Sequence, residues 1–299
     1  MRRFFSLLLL LPWAAQVNSQ PVTGNGQPAF RAGDALSPAQ AQALVVRALA
    51  NELRAAQDTS HPLRYQLRKT SPRLTTTKVI YETTDGDVAR LVAINDKPLN
   101  AADQQTEDAR LQALLSDPRK QRRRKQAEDA DAGRALRVLR TLPSAFIYQY
   151  VGPGQGPQGI VEKFTFRPDP NFSPPDLETQ VLPAMAGEVW IDPAHERVVR
   201  LEGHVQHDVD FGWGILGRLN KGGWIVIEQA DVGPDMGPNT GPKLGIVQWR
   251  IVRFEMQMSG RVVLKNRTFD TTEEETRFAP LPVGMGYQQA IAMLRNETK

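Results

Sequence analysis

A glycine motif at residues 212–217 has the spacing G-x-G-x-x-G that binds dinucleotides in many oxidoreductases. It follows a predicted strand, and Asp231 lies near the distance at which an acidic residue would bind the ribose. In that motif, however, the glycines open a helix whose N-terminus binds the pyrophosphate. Here residues 221–223 break the chain shortly afterwards, and residues 224–229 are predicted to form a strand. We therefore predict that the glycines turn a hairpin and bind no nucleotide.

Histidine and acidic side chains could instead bind a metal ion. His204, His207 and Asp208 are neighbours in the sequence, but on a strand His204 and His207 point to opposite faces. The chain has no cysteine, which excludes thiolate zinc sites, disulfides and cysteine nucleophiles. No G-x-S-x-G, H-E-x-x-H or P-loop motif occurs, and a hydrolase would need a base and nucleophile that we cannot assemble. We therefore predict no metal site, no cofactor and no enzymatic activity.

Apolar side chains on two predicted strands suggest a site for a hydrophobic ligand. The residues of this predicted site are Val205, Val209, Phe211, Phe254, Met256 and Met258. Methionine suits flexible acyl chains or apolar peptides, but it also fills irregular gaps in a core. The apolar side of the second strand changes face near Val252, which indicates a twist or a bulge there. The sequence leaves open whether these residues line a cavity or form core.

A basic segment at residues 119–125 holds the strongest concentration of charge in the chain. Outside it, basic and acidic residues nearly balance, so we predict no nucleic-acid partner. The segment could contact anionic lipid headgroups at a membrane surface. The arginines of this predicted contact are Arg119, Arg122, Arg123 and Arg124. The alternative is a solvated helix whose basic residues pair with Glu128 and Asp131.

The N-terminus has the layout of a secretory signal peptide. Arg2 and Arg3 precede an apolar run from Phe4 to Leu11, and small or polar residues follow up to Ser19. The run is shorter than the roughly 18 apolar residues that span a bilayer. We expect cleavage after Ser19, giving a periplasmic or secreted protein without a transmembrane segment. Residues 20–36, rich in Gly, Pro, Gln and Asn, are expected to form a flexible arm.

Hydrophobic periodicity predicts the elements that position these residues. A helix starts at Ser37-Pro38 and runs to about Gln57, and a three-stranded antiparallel meander follows. A helical insertion spans about 100–141. Strands dominate from residue 145 to residue 278, and one of them alternates polar and apolar residues from Val199 to Phe211.

These elements do not form repeated βαβ units, so the predicted class is α+β. We expect a strongly curved antiparallel sheet or unclosed β-barrel, with helices covering its concave face. One domain should span residues 37–280, and residues 281–299 should form a C-terminal tail.

The segment Gly187–Phe278 resembles exported bacterial proteins with a LolA-like fold. The similar stretches are Gly187-Glu-Val-Trp-Ile-Asp192, Arg200-Leu-Glu-Gly203, Lys221-Gly-Gly223, Trp249 and Ser259-Gly-Arg261. This group includes lipoprotein carriers, RseB-like envelope-stress sensors and secreted proteins of unassigned function. The resemblance implies an unclosed antiparallel barrel with helices in its concave face and a cavity for acyl chains or an exported polypeptide. We therefore expect a non-enzymatic protein that binds a lipid, or a lipidated or extended polypeptide. The alternative is an envelope interaction or regulatory module whose core is filled by its helices.

Overall fold

A computed structural model of the chain describes residues 36–211, 217–233, 248–262 and 265–296. The predicted signal peptide, nearly all of the predicted arm, Gly212 and Gly214 lie outside these residues. Those interpretations therefore stay predictions.

The described residues form helices and strands close to the predicted positions. The helices are α1 (Pro38–Gln57), α2 (Ala101–Ser116), α3 (Pro118–Ala145) and α4 (Tyr287–Asn296), with a 3-10 turn at Leu182–Ala184. The strands before the 3-10 turn are β1 (Leu63–Ser71), β2 (Leu74–Tyr81), β3 (Val88–Ile94), β4 (Lys97–Pro98), β5 (Phe146–Gly156) and β6 (Gly159–Pro168). Those after it are β7 (Met185–Asp192), β8 (Arg197–Val205), β9 (Val209–Phe211), β10 (Gly217–Leu219), β11 (Trp224–Asp231), β12 (Trp249–Val262) and β13 (Lys265–Pro280).

All the strands belong to one antiparallel sheet with the order β4-β3-β2-β1-β13-β12-β11-β8-β7-β6-β5. The short strands β9 and β10 extend it beside the C-terminal end of β12. Strands β4 and β5 are the two ends of the path, so the curved sheet is unclosed. This confirms the predicted α+β class and the unclosed antiparallel sheet.

Helix α1 forms where the sequence indicates, because its start is capped. The Ser37 hydroxyl accepts from the backbone N–H of Gln40, the Gln40 side chain accepts from Ser37 N–H, and Pro38 occupies the first turn. The buried stripe of α1 packs on strands β6, β7 and β8. The apolar residues of this contact are Ala41, Leu44, Val45, Ala48 and Leu49 on the helix, and Phe164, Val189, Ile191 and Val198 on the strands.

A second core lies at the other end of the sheet, where α2 and α4 pack on strands β2 and β3. Leu111 and Leu114 of α2 meet Ile291 and Leu294 of α4 beside Val88. Segment 281–299, expected only as a tail, thus contains a packed helix. No helix among the described residues is both long enough and apolar enough to cross a bilayer.

Three details differ from, or refine, the sequence-based strands. The predicted alternating strand from Val199 to Phe211 is interrupted after Val205, because Gln206 N–H bonds to Ala184 O and the Asp208 carboxylate accepts from Lys221 N–H. The sequence pattern predicts two strands, Arg261–Phe269 and Thr271–Phe278, but the structure has one strand there, β13, whose ends pair with different neighbours, β12 and β1. The predicted irregularity at Val252 is a bulge, since Glu228 pairs with Arg253 and Gln229 with Ile251.

Candidate functional site

An apolar cavity of about 170 Å³ lies between the sheet and the helices α1 and α3. Residues on α1 and α3 that line it are Leu49, Glu52, Ala56, Ala132, Ala135, Leu136, Val138, Leu139 and Leu142. Those on the strands are Phe146, Phe166, Met185, Val198, Leu201, Phe211, Ile225, Ile227, Gln229, Ile251 and Met258. Leu177, Glu178, Val181 and Leu182 complete the lining. Among the described residues, only Glu52, Glu178 and Gln229 bring polar side chains to it.

Helix α3 covers the cavity with small and aliphatic residues. Val138 is buried, whereas Ala132, Ala135 and Leu136 are only half-buried. The ion pair between Arg137 Nη2 and Glu178 Oε1, 2.7 Å apart, ties the helix to the segment between β6 and β7. No side chain from residue 129 to residue 137 of α3 is fully buried, which is a property expected of a cover that opens.

The end of α3 is fastened more firmly to the sheet. The Tyr148 hydroxyl on β5 donates to the carbonyl oxygen of Leu142 at 3.0 Å. Burial raises the pKa of this tyrosine, so the hydroxyl stays protonated and keeps donating at physiological pH.

A buried polar cluster of Glu52, Arg197 and Gln229 adjoins the cavity. Glu52 on α1 is 2% exposed, and its oxygens lie 2.8 and 3.0 Å from Arg197 Nε and Nη2. The carboxylate also accepts from Val198 N–H at 2.9 Å and from Gln229 Nε2 at 3.0 Å. A buried carboxylate needs such compensation for its lost hydration.

Sequence reasoning missed this cluster, although a signal was present in each element. Glu52 continues the stripe of α1 that Leu44, Val45 and Leu49 begin, where a charge is unexpected. Gln229 follows Ile225 and Ile227 on the alternating cavity side of β11. A polar residue at an apolar position was the feature to notice in both cases.

The predicted hydrophobic-site residues lie together, but they divide into two groups. Phe211 and Met258 line the cavity. Val205, Val209, Phe254 and Met256 are buried in the core beside it and are absent from its lining. Both possibilities left open by the sequence, cavity and core, therefore occur in this one cluster.

The basic segment lies at the N-terminal end of α3, against the turn between β2 and β3. Gln121 Nε2 donates to the carbonyl oxygens of Asp85 and Gly86, and Glu128 accepts from the N–H of Asp87 at 3.0 Å. Lys125 forms an ion pair with Asp129. One side of the segment is thus docked on the protein.

The other side of the segment faces solvent. Arg119, Arg122 and Arg123 are exposed, and Arg124 is half-buried with a hydrogen bond to Asp87 O. Arg119 has a long contact, 3.5 Å, with Asp117. Three of the four predicted headgroup contacts are therefore accessible.

The histidines and the remaining glycine of the motif have structural surroundings. His204, on β8, contacts Glu202, while His207 lies beyond the end of that strand. Within the described ranges no group of three or more His, Asp or Glu side chains could hold a metal ion. Gly217 begins the short strand β10, and the chain then turns at Gly222, whose φ is +86°.

A second, polar pocket of about 210 Å³ lies on the other side of the end of α1 and shares Ala56 with the cavity. Glu82 accepts there from Arg250 at 3.3 Å. Burial, together with the nearby carboxylates of Glu82 and Glu273, raises the pKa of Glu275 to about 8.

Comparison with known proteins gives little further information. No protein-family model matches the sequence, and no curated protein matches it significantly. One similar solved structure is described as an outer membrane lipoprotein-sorting protein domain from Vibrio parahaemolyticus. It shares 10% identity and a TM-score of 0.31, and the match covers 82% of this chain and 97% of that domain. A TM-score this low carries no argument about function, so membership in a LolA-like family stays a prediction.

Proposed function

We propose that the protein is a non-enzymatic carrier that binds an apolar group in the cavity beneath α3. The group belongs to a lipid, or to a lipidated or extended polypeptide. The observation that carries this proposal is the cavity itself, which is lined by aliphatic and aromatic side chains and covered by a helix whose middle residues are only half-buried. Burial of apolar surface supplies about 0.8 kcal/mol per methylene, which favours binding of an alkyl chain.

The size of the cavity indicates how such a ligand enters. An empty apolar cavity of roughly 150 Å³ accommodates benzene, so about 170 Å³ fits a short alkyl segment. Sites that enclose a drug-sized ligand measure roughly 300–1,000 Å³. A long chain therefore requires α3 to move outward, and the half-buried middle of α3 is the part that would move.

The basic segment supports a role at a membrane surface. Its exposed arginines lie on the same helix that covers the cavity, at its N-terminal end. Contact between these arginines and anionic headgroups would bring the cavity cover close to the lipid. The N-terminal pattern at residues 1–19 supports a periplasmic or secreted location for this activity.

The second candidate is an envelope interaction module with a filled core. It is favoured by the tight packing of Val205, Val209, Phe254 and Met256, which are all less than a tenth exposed. The two functions differ in one measurable property, the binding of an apolar small molecule.

Two variants that replace an alanine of α3 with phenylalanine test the carrier proposal. Ala135 lines the cavity, whereas Ala130 is exposed on the same helix. The fluorescent apolar probe N-phenyl-1-naphthylamine should bind the wild type and Ala130→Phe saturably and with similar affinity. Ala135→Phe should weaken binding at least about tenfold, because the ring occupies the cavity. Absence of saturable binding by the wild type would support the interaction module. Equal binding by both variants would place the probe elsewhere.

A further inference from the structure

Three polar side chains line the cavity, and two of them have their partners. Glu178 accepts from Arg137 Nη2 at 2.7 Å. Glu52 accepts from Arg197, Val198 N–H and Gln229, so both oxygens of its carboxylate already have hydrogen-bond donors. The third, Gln229, is 5% exposed and only partly satisfied.

The orientation of the Gln229 amide is fixed by its neighbours. Nε2 donates to Glu52 Oε2 and to Val198 O, both at 3.0 Å. A flipped amide would place its oxygen against these two acceptors. Oε1 is therefore the remaining polar atom of the Gln229 side chain, and it is buried without a hydrogen-bond partner among the described residues. A buried acceptor left without a donor is costly.

We propose that the ligand supplies the missing donor. This inference rests on the proposed function and specifies its ligand class: an amphiphile with an alkyl chain and a neutral head that carries an N–H or O–H group, such as an amide or a hydroxyl. The head donates to Gln229 Oε1, and the chain occupies the aliphatic part of the cavity. An amide-linked or glycerol-linked acyl chain has this chemistry.

The same geometry disfavours a free fatty acid. An ionised carboxylate has no hydrogen to donate, and it would meet the Gln229 oxygen beside the carboxylate of Glu52. The charge of Arg197 is already directed to Glu52 through two hydrogen bonds. A carboxylate head would therefore lose its hydration without gaining a partner.

Four ligands with the same 12-carbon acyl chain test this inference through displacement of N-phenyl-1-naphthylamine at pH 7.5. Lauramide and 1-monolauroylglycerol carry a donor, methyl laurate is neutral without a donor, and laurate is an anion. The two donor ligands should bind about tenfold more tightly than methyl laurate, and laurate should bind no better than methyl laurate. Equal affinity for lauramide and methyl laurate would overturn the inference and leave the carrier function intact. If none of the four displaces a bound probe, the proposed function itself fails.

A substitution at Gln229 provides a second, independent readout. Gln229→Met removes the acceptor with a side chain of similar length, and Glu52 keeps its bonds to Arg197 and Val198. The affinity ratio of lauramide to methyl laurate should fall from about ten to about one. Gln257→Met is the matched control, because Gln257 is exposed on β12, and its ratio should equal that of the wild type. An unchanged ratio in Gln229→Met would refute the assigned contact. The wild-type ratio still decides the inference if the variant fails to fold.

Discussion

Arg197→Met should cost far more stability than Arg47→Met, although the two arginines make ion pairs of nearly equal length. Arg197 lies 2.8 Å from Glu52, and Arg47 lies 2.7 Å from Glu196. Both pairs join α1 to the region of the β7–β8 turn. The difference is burial: the Arg197 and Glu52 side chains are 12% and 3% exposed, against 33% and 31% for the other pair.

The magnitudes follow from this difference. Arg197→Met leaves the Glu52 carboxylate buried without a counter-charge, which typically costs about 3–5 kcal/mol in the free energy of unfolding. The exposed pair contributes roughly 0–1 kcal/mol. In the double variant Glu52→Leu/Arg197→Met no buried charge remains, so it should be more stable than Arg197→Met alone.

Urea unfolding followed by circular dichroism measures these free energies. The Arg47→Met protein, which carries the matched change in the same pair of elements, corrects for general effects of losing an arginine. A loss of less than about 1 kcal/mol in Arg197→Met, equal to that in Arg47→Met, would refute the description of Glu52 as a buried charge that depends on its partner.

Three further predictions concern the core, a titrating group and the backbone. Met256→Glu should destabilise the fold by at least about 3 kcal/mol in thermal unfolding, since Met256 is 2% exposed and does not line the cavity; a native-like melting temperature would contradict this packing. The folded-state pKa of Glu275, about 8, exceeds the ordinary 4.5, so wild-type stability should fall as pH rises between these values. Glu275→Gln should therefore be more stable than wild type at pH 8.5 but equal to it at pH 4; a pH-independent difference would exclude the raised pKa. Gly187→Ala should destabilise the sheet because its Cβ would overlap a carbonyl oxygen of the neighbouring strand. Gly133→Ala on α3, whose Cβ would make only an ordinary van der Waals contact, should stabilise by about 0.5–1 kcal/mol; urea midpoints in the reverse order would contradict both.

Local signals were sufficient to predict much of this fold. The Ser37 cap and the apolar stripe predicted α1 to its last residue, and the helical insertion predicted from about residue 100 begins with α2, whose N-cap is Asn100. The change of apolar face near Val252 predicted the bulge. In each case the deciding interaction joins residues close together in the chain or follows from the side-chain period.

The lining of the cavity could not be predicted, because it depends on contacts between distant segments. Gln229 meets Glu52 across 177 residues, and β13 joins β1 through pairs such as Leu63 with Pro280. Periodicity indicates which face of a strand is buried, but not which helix covers it or how tightly. For the same reason the sequence could not separate Met258, which lines the cavity, from Met256, which is packed beside it.

Methyl NMR of the methionines measures most directly whether this cavity binds an apolar ligand. Of the methionines, Met185 and Met258 line the cavity, while Met285 lies in the separate core formed with α2 and α4. Titration of ¹³C-methyl-methionine protein with lauramide should shift the Met185 and Met258 signals in a saturable manner and leave the Met285 signal unchanged. If no methionine signal shifts at saturating lauramide, or if Met285 shifts most, the cavity beneath α3 is not the binding site.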